Sequence, residues 1–403
     1  MVVWFWATTI NAEFPVGTYF YPFTTKDEEV VARAARAGFP PVDETELVKH
    51  ASPMFHGHEQ PKTYCLGDPT ITNWDNTDPE AMDTQIGLMQ DVGLEFVVFD
   101  TYGGIRDGRK VREYDGPLAT FLKAETGDLK FAIMWSVDAP RVILPVPGNA
   151  DLKKEPGRAY DVTPETARFI VDECITKYWN QPSYLHINGR PHLSLYNTVM
   201  PINDETKGPF LRFSNEIKDY ARRQYKVEPY LVAIGRGSRK ANDAMDAASA
   251  YALLPDFFCD SEYYIQDYDD LVAGLPKRWR DISGSIHVPF VPPAVLAWDA
   301  SPRGAPGQRL EDVAGRYPFT PVVVGSTPEK AAALLQATLD WVSNDVRIPL
   351  SERYGIICAW NEISEGATLL PEVKDGVADF SYFTAIAKVL RNRSKGKTAT
   401  QLV

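Results

Sequence analysis

The chain has 403 residues, of which 44% are hydrophobic and 12% aromatic, and it carries 54 acidic against 42 basic side chains. This composition supports a large core and excludes global disorder, and the net charge of −12 argues against a nucleic acid partner. No run of about 18 apolar residues is present, so we expect no membrane-spanning helix and no membrane partner.

The first ten residues are apolar, but no basic segment precedes them and no A-x-A site follows. We therefore expect a cytoplasmic protein, with export of the native protein left open. The four cysteines, Cys65, Cys174, Cys259 and Cys358, lie far apart along the chain. This spacing predicts packed thiols rather than a disulfide framework or a zinc site.

Short β-branched and aromatic runs alternate with amphipathic segments along the whole chain, without an internal repeat. Eight of these runs are apolar at successive positions, as is typical of parallel strands buried on both faces. The predicted strands are Gly17–Tyr21, Glu95–Asp100, Lys130–Trp135, Pro191–Tyr196, Tyr230–Ile234, Phe257–Tyr263, Ile286–Val291 and Gly355–Trp360.

The predicted helices lie between these strands. Three of them begin with a capping residue, a proline at the first helical position and a glutamate, at Asp78, Thr163 and Thr327. These three helices are expected to extend to Val92, to about Trp179 and to Val342. The other predicted helices are Asp115–Lys123, Asp204–Gln224, Arg239–Ala250, Asp267–Leu275 and Phe380–Leu390.

Eight strands, each followed by a helix, predict an α/β fold of the (β/α)8 (TIM) barrel type that forms one domain over residues 1–403. The first strand-to-helix connection, about residues 22–78, is unusually long, and such long loops are commonly functional. A doubly wound open sheet is the alternative fold. No G-x-G-x-x-G follows the first strand, which disfavours that alternative.

Active groups of such barrels lie where the strands end at their carboxyl side. The residues at these positions are mostly aromatic or acidic. This mixture suits a carbohydrate, because flat rings stack on sugars and carboxylates accept hydrogen bonds from sugar hydroxyl groups. These strand-end residues are Tyr19, Tyr21, Asp100, Tyr102, Trp135, Asp138, Tyr196, Asn197, Asp260, Glu262, Trp298, Asp299, Trp360, Asn361 and Glu362.

The sharpest local signal is Trp360–Gly366, directly after the apolar eighth strand. In a helical turn, Glu362 and Glu365 would lie on one face, with their Cβ atoms roughly 5–6 Å apart. Two carboxyl groups in one cleft separate their pKa values, so that one serves as acid and the other as base. Cleavage of glycosidic bonds uses such a pair. A solvated loop in which neither glutamate is catalytic is the competing interpretation.

Three other motifs are weaker. His56-Gly57-His58 could bind a metal, but it lies within the long loop rather than at a strand end, and we expect no metal site. Gly235–Arg239 resembles a phosphate-binding turn but lacks its third glycine and lysine. Asp267-Tyr268-Asp269 is a lone D-x-D, which is better explained as the start of a helix.

Several segments resemble the glycoside hydrolase family 99-like (WbsX-type) domain. Ala51–Pro61 is similar to the family's A-x-P-x-F-x-G-H-x-Q-P stretch, Trp298–Arg303 to its W-D-x-x-P-R element, and Trp360–Gly366 to its N-E-W-x-E-G core. Other matching segments follow in the expected order over about residues 16–390. The resemblance implies a barrel that acts on glycosidic bonds without a metal or an organic cofactor.

The resemblance also implies roles for individual residues. Glu362 would be the base that assists attack by the substrate's 2-hydroxyl, and Glu365 the general acid/base at the leaving oxygen, which gives retention through an anhydro-sugar. The sequence departs from the family at Ile363, at Leu370 and in Trp135–Asp138, so mannose specificity is not implied. The residues expected to line the sugar subsites are Tyr19, Tyr21, His56, His58, Gln60, Asp100, Tyr102, Trp135, Tyr196, Glu262, Trp298, Asp299, Arg303, Trp360 and Asn361.

The leading hypothesis is thus a glycoside hydrolase with a carbohydrate substrate, no cofactor and Glu362 and Glu365 as its acid–base pair. One alternative is a glycosyltransferase of polysaccharide biosynthesis, which would bind a nucleotide-sugar. A second alternative is a non-catalytic glycan-binding barrel, and a metal-dependent amide or ester hydrolase is a third. The sequence leaves the sugar, the mode of cleavage and the oligomeric state open.

Overall fold

A computed structural model describes residues 14–23, 44–59, 63–136, 145, 160–196, 209–235, 244–254, 265–313 and 317–400. Within these ranges no helix is both long enough and apolar enough to cross a membrane. The protein is a (β/α)8 barrel whose core is filled by strand side chains and covered by helices.

The strands are short, and most are fully buried. In chain order they are β1 Val16–Phe20, β2 Phe96–Arg106, β3 Arg109–Glu113, β4 Lys130–Ser136, β5 His186–Ile187, β6 Arg190–Tyr196, β7 Tyr230–Ile234, β8 Ala247–Ser249, β9 Ile265–Asp267, β10 Pro293–Val295, β11 Val322–Val324, β12 Gly355–Cys358, β13 Asn361–Glu362, β14 Ala367–Thr368, β15 Glu372–Lys374 and β16 Val377–Asp379.

The helices lie mainly outside the strands. They are α1 Glu44–His50, α2 Pro79–Val92, α3 Asp115–Phe121, α4 Pro164–Lys177, α5 Pro209–Tyr220, α6 Tyr268–Ser285, α7 Leu310–Val313, α8 Pro328–Asn344 and α9 Ser381–Thr400. A π-helical turn, Ala221–Tyr225, continues α5, and three 3₁₀ turns occupy Ser301–Arg303, Leu350–Glu352 and Ile363–Glu365.

The barrel strands pair in parallel in the order β10, β12, β1, β2, β4, β6, β7, β8. A parallel bridge between Ala248 of β8 and Phe290, just before β10, joins the two ends of this order. Backbone hydrogen bonds from Ala248 N–H to Pro289 O and from Val291 N–H to Ala248 O complete that contact. The carboxyl ends of all eight strands therefore lie at one end of the barrel.

Most of the predicted elements are present, but the sixth strand differs. β8 lies within the segment predicted as the helix Arg239–Ala250, so that prediction is wrong for Ala247–Ser249. The small residues Ala247–Ser249 pair with β7 and so help to close the barrel. This non-local pairing outweighs their weak local preference for a strand. The predicted strand Phe257–Tyr263 lies outside the described residues, and the seventh strand pairs at Phe290 and over Pro293–Val295.

The helix starts follow their sequence signals. The Asp78 side chain accepts the Glu80 N–H at 2.9 Å, and Thr163 and Thr327 cap α4 and α8 in the same manner. Gly93 ends α2 with φ of 94°, a left-handed conformation that suits glycine. These local caps fix where each helix packs on the barrel.

The long first connection carries α1, which packs against the turns Ser301–Arg303 and Ile363–Glu365. Both turns lie at the carboxyl end of the barrel, so the connection reaches the place where an active site is expected. Of the cysteines in the described ranges, Cys65, Cys174 and Cys358 are buried free thiols, and Cys259 lies outside these ranges.

Candidate active site

Glu362 and Glu365 lie in a small hairpin directly after the eighth barrel strand. β13 pairs antiparallel with β14, and the residues between them form a 3₁₀ turn that includes Glu365. Gly366 ends this turn with φ of 66°, and a Cβ atom there would lie 3.1 Å from the Asp299 nitrogen. Glycine is therefore required at this position by both backbone conformation and space.

One guanidinium group bridges the two glutamates. Arg303 Nη2 donates to Glu362 Oε2 at 2.7 Å, and Nη1 donates to Glu365 Oε1 at 2.6 Å. The third nitrogen, Nε, donates to the Ser364 hydroxyl at 2.8 Å. Both glutamates are buried and turn toward this cation, so the two carboxyl groups share one site.

A tyrosine supports each glutamate from another part of the chain. The Tyr251 hydroxyl donates to Glu362 Oε1 at 2.7 Å, and the Tyr317 hydroxyl donates to Glu365 Oε1 at 2.5 Å. Arg303 Nη1 also contacts the Tyr317 hydroxyl at 2.9 Å. These contacts fix the rotamers of both carboxyl groups, as acid–base chemistry requires.

Burial, followed by the neighbouring Glu365, raises the pKa of Glu362 to about 8, although Arg303 and Tyr251 act in the opposite direction. Glu362 is thus mainly protonated at neutral pH. Its Oε2 accepts from Arg303, and its Oε1 accepts from the Tyr251 hydroxyl. Glu365 Oε1 accepts from both Arg303 and Tyr317.

Asp299 and His58 hold the Arg303 turn from behind. Asp299 Oδ1 accepts the Ser301 N–H and hydroxyl at 3.0 and 2.6 Å, and the Asp299 N–H donates to Glu365 O at 2.7 Å. His58 Nδ1 accepts the Met54 N–H at 3.1 Å, so the ring proton is on Nε2, which lies 2.8 Å from Asp299 Oδ2. The two side chains therefore position the Ser301–Arg303 turn.

Trp360 and Asn361, which precede Glu362, are also occupied by the protein. Asn361 exchanges two hydrogen bonds of 2.8 Å with the backbone N–H and C=O of Tyr21. The Trp360 indole N–H donates to Gln85 Oε1 in α2 at 3.0 Å, which directs this ring away from the barrel interior. Both residues therefore anchor the hairpin to β1 and α2.

Tyrosines surround the pair on the barrel side. The Tyr251 ring packs 4.8 Å from that of Tyr19 and 6.0 Å from that of Tyr196. The Tyr21 ring lies below Arg303, 5.3 Å from the guanidinium carbon. Tyr102, partly exposed, interacts electrostatically with Glu362. The predicted residues Tyr19, Tyr21, Tyr102 and Tyr196 are thus brought to one place.

Asp100 completes the acidic group at the end of β2. Its side chain is buried, and burial and then Glu362 and Glu365 raise its pKa well above the usual range. Glu44 of α1 is also buried, with Oε2 3.9 Å from Arg303 Nε. Four carboxyl groups therefore surround one guanidinium.

The remaining predicted residues lie elsewhere or in the protein interior. The Trp135 indole N–H donates to Gly103 O at 2.8 Å and its ring packs against Arg112, so this ring is not open to a sugar. Trp298 is buried, and His56 is exposed on the surface of the long connection. The predicted residues that lie outside the described ranges are Gln60, Asp138, Asn197, Asp260 and Glu262.

No group of three His, Cys, Asp or Glu side chains within the described ranges is arranged to hold a metal ion. Asp267 instead caps α6, where its Oδ1 accepts the Asp269 N–H at 2.8 Å, and Asp269 pairs with Lys330 at 2.7 Å. The D-x-D motif is therefore the start of a helix, as its position indicated. Residues 236–239 of the glycine-rich motif lie outside the described ranges.

Sequence reasoning missed three residues of this site. Tyr251 follows β8, and the segment was predicted to be helical, although a tyrosine after the short run Ala247–Ala250 is a strand-end signal. Glu44 and Tyr317 do not follow a barrel strand. They reach the site through non-local packing, which no local pattern announces.

Comparison with known proteins places this site in context. Residues 42–385 match the family model described as glycosyltransferase WbsX. An uncharacterized protein WxcX of Xanthomonas campestris pv. campestris is 22% identical over 353 residues, which are 82% of this chain and 44% of that protein. The chain thus spans less than half the length of this curated relative.

Two solved structures are similar in fold. A GH99 endo-alpha-mannosidase from Bacteroides thetaiotaomicron has a TM-score of 0.56 at 13% identity, covering 95% of this chain and 98% of that one. A glycoside hydrolase-like protein has a TM-score of 0.54 at 12% identity, covering 87% of this chain and 99% of that one. At these identities the likeness establishes the barrel fold, in agreement with the sequence prediction.

Proposed function

The chain belongs to the family described as glycosyltransferase WbsX, and we propose that it is a glycoside hydrolase whose acid–base pair is Glu362 and Glu365. The observation that carries this proposal is the bridge from Arg303 to both carboxyl groups, at 2.7 and 2.6 Å. It keeps two buried acids close together in a tyrosine-lined site. A glycosidic bond needs such a pair, one to protonate the leaving oxygen and one to act as base or nucleophile.

We infer retention of configuration. Carboxyl groups of retaining enzymes lie about 5–5.5 Å apart, whereas inverting enzymes need roughly 6.5–9.5 Å to admit a water molecule. A single planar guanidinium that contacts both carboxyl groups favours the shorter separation. The similarity in fold to a GH99 endo-alpha-mannosidase supports the same reaction class.

Burial and the neighbouring Glu365 raise the pKa of Glu362, so Glu362 carries a proton in the resting protein. The family resemblance assigns the acid role to Glu365, whereas the resting protonation favours Glu362. Glycosides with activated leaving groups can show which glutamate is the acid and which is the base, because cleavage of such substrates needs no acid. The Glu→Gln variant of the acid keeps activity on such substrates, and the Glu→Gln variant of the base does not.

The site gives less support to transfer from a nucleotide-sugar. A diphosphate needs cations, yet all three nitrogens of Arg303 donate to protein oxygens. The D-x-D motif offers no free carboxylate pair, because Asp267 caps a helix and Asp269 pairs with Lys330. Calorimetric binding of a nucleotide-sugar with Mg²⁺ or Mn²⁺ would favour the transferase.

The test is incubation with a panel of bacterial and plant glycans, followed by mass spectrometry of the new reducing ends. We expect at least one glycan to be cleaved by the wild-type protein and not by the Glu365→Gln variant. Glycans that bind and stay intact after long incubation would indicate a non-catalytic barrel.

A further inference from the structure

Asp100 stands out among the acidic residues around Arg303. It lies on β2, on the same face of the strand as Tyr102, and only 7% of the residue is exposed. Among the described residues, no hydrogen-bond partner contacts its buried Oδ1. A buried polar atom without a partner costs free energy, so such an atom at the end of a barrel strand indicates a place for a ligand group.

Burial, followed by Glu362 and Glu365, raises the pKa of Asp100, whereas a hydrogen bond from Tyr102 and the charge of Arg303 act in the opposite direction. The groups that interact electrostatically with its carboxyl are Tyr19, Tyr102, Tyr251, Arg303, Cys358, Glu362 and Glu365. The one cation among them, Arg303, already hydrogen-bonds to both glutamates. A carboxylate at Asp100 would therefore have no counter-charge of its own, and a buried group in that situation takes up a proton.

We propose that Asp100 is a third acid group of this site, neutral in the resting protein, and that it donates a hydrogen bond to an uncharged oxygen of the bound sugar. This inference rests on the proposed function for the identity of the ligand. A protonated carboxyl offers one O–H donor. Asp100 would thereby read a hydroxyl or ring oxygen, whereas Glu362 and Glu365 carry out the bond cleavage.

Protonation is tested without any substrate. In protein labelled with ¹³C-carboxyl aspartate, infrared spectra at neutral pH should contain the C=O band of a buried carboxylic acid. We expect the band to disappear in the Asp100→Asn variant and to persist in Asp299→Asn, since both oxygens of Asp299 accept hydrogen bonds. A wild-type spectrum with carboxylate bands alone overturns the proposal.

The donor role is tested with a cleaved glycan. Asparagine keeps a donor of similar shape, so Asp100→Asn should lower kcat/KM less than about tenfold. Asp100→Ala leaves the sugar oxygen unpaired and should lower it by roughly ten- to a hundredfold. If the two variants lose equal activity and both are folded by circular dichroism, the carboxyl acts as a base or through its negative charge, and the donor role is wrong.

The two experiments separate this inference from the proposed function. If the wild-type protein neither cleaves nor binds any glycan, the proposed function fails and the donor role fails with it. The infrared band still decides the protonation of Asp100 in that case. If glycans are cleaved and the band is absent, the hydrolase proposal stands and the third acid does not.

Discussion

The two ends of the barrel differ in how their charged side chains are paired. At the amino end, Asp246 contacts two cations, Arg190 at 2.8 Å and Lys218 at 2.8 Å, and accepts the Leu231 N–H at 2.9 Å. At the carboxyl end, Arg303 contacts two carboxyl groups, with Glu44 and Asp100 nearby. At the amino end both cations pair with Asp246, and Arg190 also lies 3.9 Å from Glu352, which stabilises the fold. At the carboxyl end, burial and the excess of acids over Arg303 raise the pKa values of Glu362 and Asp100.

The largest expected effect comes from removing an acid at the carboxyl end. Glu365→Gln should lower turnover by at least about 10²-fold, the lower limit for loss of acid–base catalysis. The fold should persist, because the amide can still accept from Arg303 and Tyr317. Initial rates on a cleaved glycan and the thermal midpoint measure the two effects.

Asp246→Asn is the matched control at the amino end. It leaves Arg190 and Lys218 without their carboxylate, so it should lower the free energy of unfolding by roughly 1–3 kcal/mol while turnover stays at the wild-type value. Equal turnover of wild-type and Glu365→Gln proteins would refute the contrast between the two ends.

Arg303→Lys tests the bridge itself. Lysine keeps the charge but lacks the planar fork that contacts both glutamates, so one charge-assisted hydrogen bond is lost, worth about 1.5–3 kcal/mol. We expect turnover to fall by roughly ten- to a hundredfold, and the pH optimum should move because Arg303 opposes the rise in the pKa of Glu362. Full activity with an unchanged pH profile would mean that the bridge has no catalytic role.

Tyr251→Phe should have a smaller effect. It removes the hydroxyl that lies 2.7 Å from Glu362 Oε1, a contact that lowers the pKa of Glu362. Turnover should fall by roughly three- to tenfold, and the pH profile should shift upward. Tyr225→Phe is the control, because it also removes a hydroxyl bound to a carboxylate, that of Asp172 at 2.6 Å, but on the outer helix layer. A shift of the same size in both variants would argue against a specific role for Tyr251.

The smallest expected effect is on the pH dependence of the free energy of unfolding. The pKa of Glu362 is about 8 in the folded protein and 4.5 without the fold, so the folded state binds more protons between these values. Stability should therefore decline as the pH rises from 4.5 to about 8. Glu362→Gln removes this contribution, so its thermal midpoint should decline less, by a few degrees. Parallel curves for the two proteins would contradict the raised pKa.

The sequence predicted the barrel and the proximity of Glu362 and Glu365 because both depend on local patterns. Apolar runs mark the strands, and Glu362 and Glu365 follow one of them by a few residues. Arg303 was expected to contact sugar, yet it contacts the glutamates, because a pairing across 59 residues depends on how two turns pack. His58 was also expected to line a sugar subsite. Its side chain is only 1% exposed, and both of its ring nitrogens contact other groups of the protein.

The helix α1 rests on both turns that carry Arg303 and Glu365, and it supplies Glu44. The connection after β1 is therefore part of the proposed active site and cannot be exchanged independently of it. Chimeric proteins that exchange this connection between relatives would change the charges around Arg303 together with the residues that bind the ligand. Swaps made to alter selectivity should accordingly include the two turns as one block.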